Sequence, residues 1–269
     1  MRFAYLAFAL LPLAACVSED REQEIGDQLA TQINAHVPLV QDPGLAGSLT
    51  TLGNRLARAS DRPDVAYNFY IVDTDEVNAF AIPGGHIYVN RGLIERTENA
   101  SELSAVLAHE IGHISARHGA QMLQRQLRTG SVVSVLYRLI LGREPALLDH
   151  SALGIGGALW SAAHSRADEL EADQLAVRTL VTAGVDPIGI VTLLHSLTAE
   201  EEQRRGIAAQ WFSTHPMSAD RLRQTRDEVR EFRGESTPDL MRDAAWYPKF
   251  LSRMQKLPPS PAMVELPHP

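Results

Sequence analysis

Apolar positions recur along this chain with two different periods. Val65, Tyr67, Phe69 and Ile71 alternate with other residues, as the buried face of a strand does. Leu103, Leu107, Ile111 and Ile114 fall at spacings of four, four and three, which gathers them into one stripe on a helix. Extended to the whole chain, this pattern predicts helix over roughly residues 22–59, interrupted by the Asp-Pro-Gly at 42–44. Strands are expected at 65–72, 77–82 and 86–90, the last two joined by the turn at Pro83, Gly84 and Gly85. The helix of residues 103–114 follows, with Asn99 and Glu102 spaced as a capping box. A second long helix is expected at about 161–182, stopped by Gly184 with Pro187 beyond. A charged helix runs towards Phe232, and a short one covers about 239–254. The fold class predicted is α+β, mainly helical, with a small antiparallel sheet beside the helix of residues 103–114. Residues 129–159 are mixed. Their apolar positions suit core packing, and a mobile lid over a cleft is the alternative.

The polar residues of the 103–114 helix change the picture. His109, Glu110 and His113 spell H-E-x-x-H, and residues four apart on a helix share a face. Two imidazoles there can grip one zinc ion, with Glu110 placed to act as general base. Ala105, Ala108 and Gly112 are small, so another element can approach closely.

A catalytic zinc needs a third protein ligand. Glu169 and Asp173, four apart on the second long helix, are suited to ligate the metal and to accept the free ring N–H of a ligating histidine. Arg166 is placed to hold either carboxylate. By spacing alone, Asp168, Glu169, Glu171 and Asp173 read equally well as a solvated acidic face.

Four blocks settle more than spacing does: residues 78–93, 109–113, 165–173 and 213–222. In this order they resemble the HtpX/CAAX-prenyl-protease family of gluzincin metallopeptidases, in its soluble periplasmic BepA/LoiP-type lipoprotein branch. The resemblance implies a zincin-like fold with His109, His113 and Glu169 as ligands of one zinc. It makes Glu110 the general base and places Asp173 behind a ligating histidine. Asn78, Ala79 and Phe80 correspond to the strand that borders the cleft and pairs with substrate backbone. His215 corresponds to a histidine that approaches the zinc, either to stabilise the oxyanion or to occupy the open position at rest. Arg221 corresponds to an arginine that supports the site. His86 is expected to be structural, and His36, His118, His150, His164, His195 and His268 to be surface or packing histidines.

The first fifteen residues carry one basic side chain and an apolar run too short to span a membrane, which fits a signal peptide. Leu13-Ala14-Ala15-Cys16 resembles a lipobox, so Cys16 is the expected lipidation site, and it is the only cysteine in the chain. Val17 and Ser18 after it suggest the outer membrane. A lipidated linker at 16–21 would then lead into a zinc peptidase domain at 22–233. A helical extension at 234–256 and a Pro-rich, disordered tail at 257–269 complete the expected organisation.

A net charge of −8 argues against general nucleic-acid binding, and 45% apolar residues suit a globular domain. Two functions remain. One is an envelope endopeptidase acting on unfolded or misassembled envelope proteins. The other is a chaperone or factor of the outer-membrane assembly machinery that binds in the same cleft with little cleavage.

Overall fold

A computed structural model of the chain describes residues 17–129, 164–203, 206–232 and 239–261. Cys16 and the signal peptide, the 130–163 segment expected to pack or to form a lid, and the end of the Pro-rich tail lie outside the described residues.

The first helical region forms as two helices, α1 (Glu19–His36) and α2 (Pro43–Arg58). Pro43 opens α2, and the Asp42 carboxylate accepts from the backbone N–H of Gly44 and Leu45, so the Asp-Pro-Gly is a helix start. Three strands follow: β1 (Asn68–Val72), β2 (Ala79–Ile82) and β3 (His86–Asn90). Gly84 and Gly85 carry φ of 85° and 94° in the β2–β3 turn, a backbone region that favours glycine.

The sheet is mixed where an antiparallel one was expected. Its order is β1-β3-β2: β2 pairs antiparallel with β3, while β1 runs parallel to it, with Asn68 opposite His86. The hairpin turn forces the first pairing. The longer 73–78 connection lets the chain cross, leaving β3 in the middle and β2 at an edge.

One face of the sheet, with Phe69, Ile71, Ala79, Ile87 and Val89, joins the main core. The other, with Phe80, Ile82 and Tyr88, packs on Ile25, Leu29 and Ile33 of α1. After a short α3 (Arg91–Ile94) comes α4 (Ala100–Ser115), which is buried from Ala100 to Ile114. The apolar stripe is therefore only part of its buried surface. Asn99 caps α4 by accepting from Glu102 N–H at 3.1 Å. The return arm of the expected box goes elsewhere: the Glu102 carboxylate accepts from Glu98 N–H and from the Thr192 hydroxyl, both at 2.7 Å.

Next in the described chain are α5 (His118–Thr129), α6 (Arg166–Thr182), α7 (Ile188–Gln203), α8 (Ala209–Thr214), α9 (Ala219–Phe232) and α10 (Tyr247–Met254). The second long helix begins later than expected, because Ser165 and Asp168 close a reciprocal capping box there. It packs tightly on α4: a Cβ at Gly112 would stand 2.7 Å from the Ala172 carbonyl oxygen. The segment expected as an extension adds Tyr247, Phe250 and Met254 to the main core. Its helix covers only 247–254, and Met241 instead forms a parallel bridge with Val185.

Candidate metal centre

His109 and His113, one turn apart on α4, aim their Nε2 atoms into the space between α4, α6 and the end of α8. Those two atoms lie 3.1 Å apart. From α6, Glu169 brings Oε1 to 3.3 Å from His113 Nε2 and Oε2 to 3.6 Å from His109 Nε2. His215, just past α8, places Nδ1 3.2 Å from His109 Nε2 and 3.1 Å from Glu169 Oε1. Donor atoms of all four residues fall within 4.8 Å of one another, and all four residues are buried.

Four donors around a zinc at ~2.0–2.1 Å form a tetrahedron whose edges are about 3.3 Å. The separations of 3.1, 3.2, 3.1 and 3.3 Å lie close to those edges. Nitrogen and carboxylate oxygen donors also suit zinc chemically. The donor set thus fits the metal, and His215 stands where it would be the fourth ligand.

Asp173 lies one turn after Glu169 and is 1% exposed. Its Oδ1 faces His109 Nδ1 at 2.9 Å. Arg221 of α9 donates to both oxygens, from Nε at 2.7 Å and from a terminal nitrogen at 3.0 Å. The Thr225 hydroxyl adds a fourth bond at 3.0 Å. Burial alone would raise the Asp173 pKa, but the Arg221 charge and the His109 and Arg221 hydrogen bonds outweigh it and pull it down to about 2. The other terminal nitrogen of Arg221 contacts Glu169 Oε2 at 2.5 Å. Arg166, by contrast, is exposed at the start of α6. Arg166 shares the helical face of Glu169 and Asp173 but lies at the exposed first turn of α6, while Arg221 from α9 reaches both carboxylates, so Arg221 holds them where Arg166 was expected to.

Glu110 is 1% exposed, and among the described residues neither carboxylate oxygen closes a hydrogen bond. His215 Nε2 stands 3.5 Å away, and the backbone N–H of Ala81 faces the carboxylate. Burial raises the Glu110 pKa, with His215 and His109 opposing. A buried carboxylate left unsatisfied beside a cluster of metal donors is suited to take up a proton.

The edge strand β2 borders this site. Asn78 carbonyl accepts from Asn90 N–H at 2.9 Å, so by alternation the backbone groups of Ala79 and Ala81 point to the edge of β2 that no strand among the described residues pairs. His215 Nε2 reaches the Ala79 carbonyl at 3.4 Å. The side chains of Asn78 and Phe80 are engaged elsewhere. Asn78 accepts from the Thr214 hydroxyl at 3.3 Å, and Phe80 stacks on Tyr88 with ring centres 4.8 Å apart. His86 sits between Asp27 at 2.9 Å and the Tyr70 hydroxyl at 3.3 Å, away from the donor cluster.

Several neighbours of the site were not legible in sequence. Trp211 stacks on His215, 4.4 Å between ring centres. His164 stacks on His113 at 3.9 Å, and burial followed by the His215 charge lowers its pKa to about 3. His118 is 1% exposed, with its Nδ1 2.9 Å from Nδ1 of His113. His118 and His164 thus belong to the site's surroundings, where surface or packing roles were expected. No local spacing signals them, because the chain folds back to bring them in.

Among the described residues, no helix is long and apolar enough to cross a membrane. A family model described as Peptidase family M48 matches residues 43–229. The chain is similar to the beta-barrel assembly-enhancing protease of Yersinia pestis, 32% identical over 230 residues, which is 83% of this chain and 47% of that protein. It is also similar to the protein of that name in Escherichia coli (strain K12), 28% identical over 222 residues, 81% of this chain and 45% of that one. Metalloprotease LoiP of the same bacterium is 30% identical over 219 residues, 80% of this chain and 83% of that one. The chain spans about half the length of the beta-barrel assembly-enhancing proteases it matches.

Proposed function

Because the chain belongs to peptidase family M48, we propose that it is a zinc-dependent endopeptidase of the bacterial cell envelope. The observation that carries this reading is the convergence of His109, His113 and Glu169 beside the unbonded carboxylate of Glu110. His109, His113 and Glu169 would hold one zinc ion. Zinc bound there supplies Lewis-acid polarisation of the scissile carbonyl and lowers the pKa of water towards ~7. Glu110 takes a proton from the attacking water on a carboxylate oxygen and delivers it to the leaving amine nitrogen. Asp173 holds the proton of His109 on Nδ1, leaving Nε2 free to ligate. Arg221 keeps Glu169 and Asp173 ionised and in place.

An extended substrate is positioned by adding along the free edge of β2, through the backbone of Ala79 and Ala81. Asn78 and Phe80 support that strand with side chains turned away from it. His215 covers the Ala79 carbonyl and fills the fourth donor position at once. It therefore blocks the site at rest, and one movement of the 214–216 segment would free both the metal and the strand edge.

The substrates in this reading are unfolded or misassembled envelope proteins. Similarity to proteins named for beta-barrel assembly and to LoiP supports the envelope setting. So does the lipobox-like run ending at Cys16, which would anchor the chain, preferably to the outer membrane. The donor set closed by His215 favours a second reading, in which the chain serves the outer-membrane assembly machinery by binding clients with little cleavage. Casein degradation by the purified chain, set against Glu110→Gln, decides between them. Loss of cleavage with zinc retained in the variant is expected. Cleavage by the variant at the wild-type rate would exclude Glu110 as the base, and no cleavage by either would favour the binding role.

A further inference from the structure

We propose that His118 is a positioning residue for the metal ligand His113, as the middle member of a chain running from Glu171 through His118 to His113. This rests on the zinc reading above. His113 offers Nε2 to the donor cluster, so its proton sits on Nδ1. That N–H meets Nδ1 of His118 at 2.9 Å. His118 must accept there, which puts its own proton on Nε2, facing Glu171 Oε2 at 3.4 Å and Asp168 Oδ1 at 3.8 Å. The chain fixes both tautomers and the plane of the His113 ring, the service that Asp173 performs directly for His109.

The backbone is built for this contact. On an uninterrupted helix, residues five apart point about 140° away from each other, so position 118 could not meet position 113. The helix breaks at Arg117, which adopts a left-handed φ of 58° without being glycine. Such a residue costs about 1–2 kcal/mol and persists where its surroundings hold it. Arg117 is held by Glu22 at 2.7 Å and by the Val17 carbonyl at 2.6 Å. Arg62 adds a bond to the Ile114 carbonyl at 3.1 Å. The turn swings the first residue of α5 back beneath the last turn of α4, and His118 is 1% exposed there.

The test uses the purified full chain, its zinc affinity by chelator competition, and the visible spectrum of its cobalt-substituted form. His118→Leu removes the acceptor while keeping bulk. His118→Asn restores an acceptor close to the position of Nδ1. Zinc affinity is expected to fall about 10–100-fold in His118→Leu, with a shifted cobalt spectrum, and both are expected to recover largely in His118→Asn. Thermal unfolding of the metal-free proteins separates a folding defect from a ligand defect. Should His118→Leu not fold, Glu171→Gln, on a side chain 61% exposed, is expected to weaken zinc binding in the same direction. The proposal is overturned if the folded His118→Leu chain, or Glu171→Gln in its place, keeps wild-type affinity and spectrum. It is equally overturned if His118→Asn folds but recovers nothing, or if a second equivalent of zinc is lost, which would make His118 a ligand. A wild-type chain that takes up no zinc would remove the metal centre itself, whereas one zinc in wild type with an indifferent His118 removes only this proposal.

Discussion

Nδ1 of His109 lies 2.9 Å from Oδ1 of Asp173, and this pair joins the metal-donor helix to the helix behind it. In the proposed zinc site this contact would make Asp173 a determinant of metal affinity although it donates nothing to the cluster. Asp173→Asn keeps the shape and removes the charge. Zinc affinity, measured by chelator competition, is expected to fall about 10–100-fold. An unchanged affinity would show that His109 needs no partner.

The same carboxylate makes stability depend on pH. Burial would raise its pKa, but Arg221 and His109 bring it from 3.8 down to about 2. A depressed folded-state pKa contributes stability that is fully present above the unfolded value and fades as pH falls towards the folded one. In the metal-free chain, roughly 2 kcal/mol is expected to be lost between about pH 4 and pH 2. Urea unfolding across pH 5 to 2 should show that slope in wild type and a shallower one in Asp173→Asn.

Arg221 stands between two buried carboxylates. Arg221→Met strands both charges, and breaking a buried pair in this way costs about 3–5 kcal/mol. Denaturant unfolding of the metal-free variant measures the loss. A change below about 1 kcal/mol would mean that water already screens the pair.

His215 Nδ1 stands 3.2 Å from His109 Nε2, where the proposed resting block would place it. If it occupies the site for nine-tenths of the time or more, His215→Ala should bind a hydroxamate inhibitor at least about tenfold more tightly. Calorimetric titration of both proteins gives the ratio. Equal affinities would remove the resting block.

Gly112 is where α4 and α6 touch, with the Ala172 carbonyl 2.7 Å from where a Cβ would stand. Gly112→Ala must push the two helices apart, at about 1–3 kcal/mol. Thermal unfolding should fall accordingly, and zinc affinity with it, since His113 and Glu169 sit across that same interface.

H-E-x-x-H on a helix, the Gly-Gly hairpin and the helix break at Asp42 were all legible in sequence, because each is settled by residues within a few positions of one another. Glu169 was a candidate by spacing, but spacing could not separate it from a solvated acidic face. Its burial against α4 does, together with Arg221 and His215 arriving from 52 and 46 residues downstream. Arg166 was the candidate for that arginine because it shares the helix face of Glu169 and Asp173, but it stands on the exposed first turn of α6, and Arg221 comes in from α9 instead.

The sequence by itself determined the local chemistry: which residue types stand at helical spacing, where turns must form, and which positions prefer burial. Only the tertiary structure decided which strand lies at the edge of the sheet, which arginine meets the carboxylates, and that His118 meets His113. The first two are contacts between distant segments, and the third depends on a helix break held from a distant segment. Their energies depend on the packing of whole elements and, at Arg117, on a backbone strain held by α1. No local period encodes them.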